Sequence, residues 1–239
     1  MPAKGTINPH LWKYKINIDF FKKPTPQMAY ILGFLMADGR LERNSVYFVM
    51  GKKEDREILE KINQTMESNY PIKQRKDGSF RLRIYNPIII QDFQRLGINF
   101  GKMKNTSLPK IPSLFFRDFV RGYLDGDGWI IPKRRKMEIS VGFSNGNYKF
   151  LKALIENLNL KLNLNTYNLR RREKVTKKNK NSVYYQVEYY SENAYKILNG
   201  IEITNKLRVL PSSIYRWLAK TRIKFPNPKQ INASQFYSK

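Results

Sequence analysis

Two aspartates close two similar stretches of the chain. Asp38 ends ILGFLMAD (residues 31–38) and Asp127 ends VRGYLDGD (residues 120–127). Gly33 aligns with Gly122, Phe34 with Tyr123, and Leu35 with Leu124, at a constant offset of 89 residues. Gly39 and Gly128 come directly after the aspartates. Both stretches read as helix, and a helix C-terminus is a poor place for a carboxylate because the macrodipole there is already negative. Two carboxylates brought together at such ends repel unless a cation or a shared proton intervenes. Hard oxygen ligands of this kind suit a divalent ion, Mg²⁺ first or another such as Mn²⁺, with water and a substrate phosphate completing the shell. Asp125-Gly126-Asp127 also resembles the start of an EF-hand loop, but that loop needs Gly at its sixth position, where this chain has Ile130.

The residues before the aspartates say how the two could meet. Positions four apart share a helix face. Ala29, Gly33 and Ala37 make one small-residue stripe, and Gly122 and Gly126 make another. Such stripes let helix backbones approach closely. Gly33, Ala37, Gly122 and Gly126 are therefore expected at a helix–helix interface, with Leu32, Leu35, Met36, Val120 and Leu124 filling the core around it. Helices paired in the same sense end together, which brings Asp38 to Asp127.

The elements downstream of each motif repeat as well. In the first half a strand is expected at 44–50, a helix at 54–66, strands at 70–76 and 79–85 around a tight type I′ Asp77-Gly78 turn, and a helix at 87–97. In the second half the order returns as a strand at 137–143, a helix at 147–158, strands at 160–171 and 182–190 joined by the basic loop 172–181, and a helix at 192–199. The fold class is α/β in the α+β sense: two pseudo-symmetric αββαββα halves with antiparallel sheets. Residues 1–98 are the N-terminal half, with an extension over 1–24; 99–113 is a linker; 114–239 is the C-terminal half with its tail, which includes a last helix at 210–222.

Composition points to the partner. Among 239 residues, 45 Lys+Arg face 19 Asp+Glu, a formal net charge of +26, while 41% of residues are hydrophobic. A chain with that much apolar material builds a core, so the charge belongs to a folded basic surface, and nucleic acid is the expected partner. With no cysteine and a single histidine, His10, thiolate zinc sites, disulfide scaffolds and histidine nucleases are excluded. No apolar run approaches the roughly 20 residues that span a bilayer. The N-terminus lacks a signal-peptide core, so no membrane partner and an intracellular location are expected.

Strand alternation puts Lys73 and Arg75 on one face of the first hairpin, and Arg81, Arg83 and Tyr85 likewise, with Ile72, Leu82 and Ile84 opposite. The second half offers Lys161, Asn163 and Asn165, then Arg170, Arg172 and Gln186. Such ribbons can read base edges in a major groove. Lys133, Arg134 and Arg135 in one loop, with 177–181 in another, are expected on phosphates.

ILGFLMADG and VRGYLDGDG resemble the paired signature of the LAGLIDADG homing endonucleases in their single-chain, two-motif form. The resemblance covers roughly residues 25–222. It implies that the motif helices form the domain interface, that the two sheets make a saddle on double-stranded DNA, and that the last acidic residue of each motif, Asp38 and Asp127, binds catalytic metal. It implies a monomer that cleaves both strands of a long asymmetric target and leaves short 3′ overhangs. The family's basic residue near the active site falls on Lys52 or Lys53, as a catalytic residue or a phosphate contact; the second half has only Asn145 and Gly146 there. Met36 replaces the first acidic position of the first motif, and Asp125, which fills it in the second, is expected behind the ligands or in solvent. Two other functions fit the same fold: an intron RNA maturase, and a DNA-binding regulator without catalysis.

Overall fold

A computed structural model describes residues 13–51, 56–100, 107–133, 138–164, 168–175 and 181–201. The first motif is helix α1 (Pro26–Asp38). Thr25 caps it by accepting from the Met28 amide at 3.1 Å, and Pro26 sits in the first turn where no amide is needed. Residues are buried nearly all round it, as in a helix at the centre of a core. Strands β1 (Gly39–Glu42) and β2 (Ser45–Met50) follow, then α2 (Arg56–Thr65), β3 (Ile72–Gln74), β4 (Phe80–Ile84) and α3 (Pro87–Arg95). The second half begins with a short 3-10 turn (Ser113–Phe115). It continues as α4 (Phe116–Asp127), β5 (Trp129–Lys133), β6 (Glu138–Asn145), α5 (Tyr148–Leu162), β7 (Arg170–Val175), β8 (Asn181–Tyr190) and α6 (Ser191–Gly200).

The architecture is α+β. Two four-stranded antiparallel sheets have the orders β1-β2-β4-β3 and β5-β6-β8-β7. One face of each sheet is core: Val46, Phe48, Leu82 and Ile84 in the first, Ile139, Val141, Phe143 and Val187 in the second. Helices cover those faces, and α1 and α4 lie against each other in the middle. The residues before α1 belong to this core. Phe21 is buried against Phe93, with ring centroids 4.4 Å apart, and Tyr14 packs on Tyr70 at 5.0 Å. Among the described residues no helix is long and apolar enough to cross a membrane.

Three local expectations change. The segment expected as a strand from residue 160 begins as helix: α5 runs to Leu162 and ends at Asn163, which takes the left-handed conformation (φ 47°) of a C-terminal cap. The basic loop expected from residue 172 begins as strand, since β7 extends to Val175. The first hairpin does not use a type I′ turn. Gly78 alone has positive φ (82°), its amide bonds the Arg75 carbonyl at 3.0 Å, and the Arg75 amide bonds the Ser79 carbonyl at 2.7 Å, which is a type I turn with a glycine bulge. The helix expected at 210–222 lies outside the described residues.

Candidate functional site

The close approach of α1 and α4 is made by glycine. A Cβ placed on Gly33 would lie 2.0 Å from the Phe119 carbonyl oxygen and 2.9 Å from the Tyr123 nitrogen. A Cβ on Gly122 would lie 2.0 Å from the Tyr30 carbonyl oxygen and 3.0 Å from the Phe34 nitrogen. Phe119 and Tyr123 are the repeat partners of Tyr30 and Phe34, so these contacts are one contact made twice about a pseudo-two-fold axis. Further along, a Cβ on Gly126 would meet the Ala37 methyl at 2.3 Å. Gly33, Ala37, Gly122 and Gly126 thus line the interface.

Both helices stop in the same way. Asp38 and Asp127 are their last residues, and Gly39 and Gly128 turn into extended backbone (ψ 171° in each), donating to the Leu35 and Leu124 carbonyls. The two aspartates are partly buried. A Cβ on Gly126, next to Asp127, would lie 3.2 Å from Asp38 Oδ2, so the missing side chain leaves room for the opposite carboxylate. Tyr123 registers both acids. Its hydroxyl donates to the Ser144 carbonyl at 2.5 Å and accepts from Asn145 Nδ2 at 2.8 Å. Its pKa is raised well above the ordinary value, first by burial and then by the charges of Asp127 and Asp38, against the Asn145 hydrogen bond. The two helix C-termini lie side by side, with the Asp38 carboxylate beside Gly126, the residue before Asp127; hard anionic donors of this kind fit a divalent cation. No cluster of three or more acidic, histidine or cysteine side chains exists among the described residues, so water and substrate oxygens would complete the shell.

The halves are not chemically equal. Asp125 is neither in solvent nor exposed: it is buried, and Tyr30 donates to its Oδ2 at 2.9 Å across the interface. Arg121 lies over the Tyr30 ring at 5.5 Å and pairs with buried Asp118 at 2.8 Å. The repeat-related positions, Met36 and Phe119, are buried and apolar, and Leu32 and Ala29 stand where Arg121 and Asp118 do. A polar network therefore occupies one side of the helix pair only. Lys52 and Lys53 lie outside the described residues.

The outward face of the first sheet carries Arg40, Tyr47 and Arg83 in one cross-strand row, and Val49, Arg81 and Lys73 in the next. Arg83 is engaged within the protein: it pairs with Glu42, donates through Nε to Ser45 Oγ at 3.0 Å, and lies over the Tyr85 ring at 4.9 Å. Arg75 sits in the hairpin turn, 3.3 Å from Asp77. On the second sheet Arg170 is opposite Gln186 and Arg172 opposite Tyr184, both arginines exposed. Lys133 is the last residue of β5. Lys161 and Asn163 are not on this sheet. Lys161 is in the last turn of α5, bonded to Ser113 Oγ and 5.6 Å from the Phe116 ring, and Asn163 is the helix cap. The helix removes them from the face where alternation put them. Arg134, Arg135 and Asn165 lie outside the described residues. Sequence reasoning missed Arg40 and Trp129, since each directly follows a motif glycine at the start of a strand, where the helical pattern dominates the signal.

Residues 115–202 match the family model of LAGLIDADG-like domains. The isomerizing glutamine–fructose-6-phosphate aminotransferase of Methanocaldococcus jannaschii is 26% identical over 137 residues, which are 54% of this chain and 12% of that protein. The chain thus spans only a small part of that relative. Among solved structures, full-length DUF199/WhiA from Thermatoga maritima superposes with a TM-score of 0.50 at 12% identity, over 97% of this chain and 72% of that one. The LAGLIDADG meganuclease I-AabMI, solved bound to uncleaved DNA, gives 0.50 at 13% identity over 89% and 97%. At these identities the likeness is one of fold.

Proposed function

We propose that this chain, which carries a LAGLIDADG-like domain over residues 115–202 and a matching helix–sheet unit before it, is a sequence-specific double-strand DNA endonuclease that acts as a monomer. The observation that carries the reading is that Asp38 and Asp127 end the closely paired helices α1 and α4, with the Asp38 carboxylate beside Gly126. The net charge of +26 supplies the attraction to phosphates, and the two outward sheet faces supply groups that can contact base edges.

Asp38 and Asp127 would hold a divalent cation, Mg²⁺ or Mn²⁺. Such an ion would supply a lowered pKa for a bound water and charge stabilisation for the leaving 3′ oxygen in an in-line displacement at phosphorus. The protein's part is positional. The glycine contacts fix the distance between the helix ends, and the missing side chain at Gly126 leaves the Asp38 carboxylate its place. Tyr123, held by Ser144 and Asn145, keeps a neutral hydroxyl within the influence of both acids. Lys52 or Lys53 would add positive charge at the scissile phosphate of one strand. The target is asymmetric, because the faces of the two halves differ, and cleavage leaves short 3′ overhangs.

The test is cleavage of a random-site plasmid library with Mg²⁺ by the wild type, Asp38→Asn and Asp127→Asn. Cleavage is expected only from the wild type, with DNA binding and melting temperature kept in both variants. Near-native cleavage by either variant would overturn the assignment. DNA binding without cleavage is the second reading; DUF199/WhiA and the meganuclease match the fold equally well, so the fold does not choose between the two. A wild type that selects a site and does not cut it supports that reading.

A further inference from the structure

The outward face of the second sheet is not uniformly polar. On β5, Ile130 packs against the core, so Trp129 and Ile131 point outward. Trp129 lies flat on the sheet: a Cβ on its β6 partner Gly142 would come within 2.1 Å of the indole, so only glycine permits this placement. Ile131 is 46% exposed. Its row continues through Ser140 to Tyr190, itself 41% exposed, so two large apolar groups flank a small floor. The repeat-related residues of β1 are Arg40 and Glu42, which form an ion pair at 3.7 Å. The same place is thus ionic in one half and apolar in the other.

Position adds meaning to chemistry. Trp129 comes two residues after Asp127, and Ile131 stands roughly 7 Å further along the strand. On the same face, β7 presents Arg170 and Arg172 to an anionic partner. A duplex lying on this face would meet cations at β7 and an apolar strip at β5, beside the paired aspartates. In a major groove the apolar feature of a base pair is the thymine 5-methyl group, and apolar side chains recognise it.

We propose that Trp129 and Ile131 form a thymine-methyl reader that sets base preference in the half-site of the second sheet, close to the cleavage point. This rests on the DNA-binding reading above. Ile131 has no hydrogen-bonding group in its side chain, so what it contributes to base preference is contact with the methyl group. In the first half-site Arg40 and Glu42 offer no such surface.

The experiment starts from a duplex selected by the wild-type chain from a random library. Each thymine is replaced singly by deoxyuridine, which removes only the 5-methyl, and binding is measured with Ca²⁺ in place of Mg²⁺. A loss of about fourfold in affinity per contacted methyl is expected, confined to thymines on one side of the site's centre. Ile131→Ser, a change at an exposed strand position, should lose the discrimination between thymine and deoxyuridine at the base Ile131 contacts, with any effect at a base contacted by Trp129 retained. Indifference of the wild type to every deoxyuridine, with tight duplex binding retained, would overturn the methyl reader alone. Failure to bind any duplex would overturn it together with the DNA-binding reading.

Discussion

Gly33 and Gly122 face each other's helices in the same way: each has the opposite backbone's carbonyl oxygen 2.0 Å from where its Cβ would be. Neither position has positive φ, so glycine is there for closeness and not for backbone freedom. A methyl group at either site cannot be accommodated by a rotamer change, because its neighbours are main chain. Gly33→Ala or Gly122→Ala should separate the helices and cost at least the 1–3 kcal/mol typical of overpacking. The two changes should cost alike, since the contacts are symmetric. Urea unfolding of both variants checks this, and a change below about 0.5 kcal/mol in either would show that the interface is looser than its geometry.

The Tyr30–Asp125 hydrogen bond crosses the same interface, and its partners by repeat, Phe119 and Met36, make none. Tyr30→Phe should cost about 1–3 kcal/mol, because it takes a donor from a buried carboxylate. Replacing both residues by their repeat counterparts, Tyr30→Phe with Asp125→Met, should recover part of that loss, since an apolar pair leaves no buried group unsatisfied. A double-mutant cycle measures the coupling. Cleavage should survive the double change, because Asp125 is bound to Tyr30 and no catalytic role is given to it. A loss of cleavage with stability intact would place Asp125 among the metal's ligands.

Tyr123 gives stability a dependence on pH. Burial and the two nearby aspartates raise its pKa well above the ordinary 10.0. In the unfolded chain the phenol ionises near that ordinary value, so the unfolded state loses its proton first as pH rises. The tyrosine's contribution is therefore full below pH 10 and declines above it. Tyr123→Phe should lower stability at neutral pH by about 1–3 kcal/mol, through lost bonds to Ser144 and Asn145. It should also make the alkaline decline shallower. Unfolding free energies from pH 9 to 11 decide the matter; an unchanged slope would mean that Tyr123 is not protected from ionisation.

The repeat was legible because it rests on residue types with few substitutes. Glycine at helical spacing, followed by Asp-Gly, announces both the close pairing of α1 with α4 and the shared end of the two helices. The boundary of α5 was not legible for the opposite reason. LKLNLN alternates leucine and polar residues with period two, yet Leu162 also continues the helical stripe of Phe150, Leu151, Leu154, Ile155 and Leu158. Packing chose the helix, and Leu160, 83% exposed, is the leucine that the choice leaves outside. Sequence could not show the engagement of Arg83 either, since Glu42 and Ser45 lie about forty residues away and reach it only through the strand order β1-β2-β4.

That engagement separates two arginines that alternation makes equivalent. Arg81 and Arg83 both point outward from β4, but Arg83 is held by Glu42 and Ser45 and stacks on Tyr47 and Tyr85. Arg81 lies opposite Lys73 and 5.9 Å from the Tyr47 ring, at the basic end of the sheet. An arginine whose fork is already occupied cannot give two hydrogen bonds to guanine without first leaving its carboxylate. Arg81→Ala should therefore relax base preference in the first half-site, at about 1–3 kcal/mol at the position it reads. Arg83→Ala should change that preference less, and should lower stability by up to about 1 kcal/mol, as for a partly exposed ion pair. A binding profile over all single-base variants of the selected site, run with both variants, measures the two effects together. If Arg83→Ala relaxes one half-site as strongly as Arg81→Ala, then Glu42 yields the arginine to DNA, and the ion pair holds it ready without withdrawing it from the reading face.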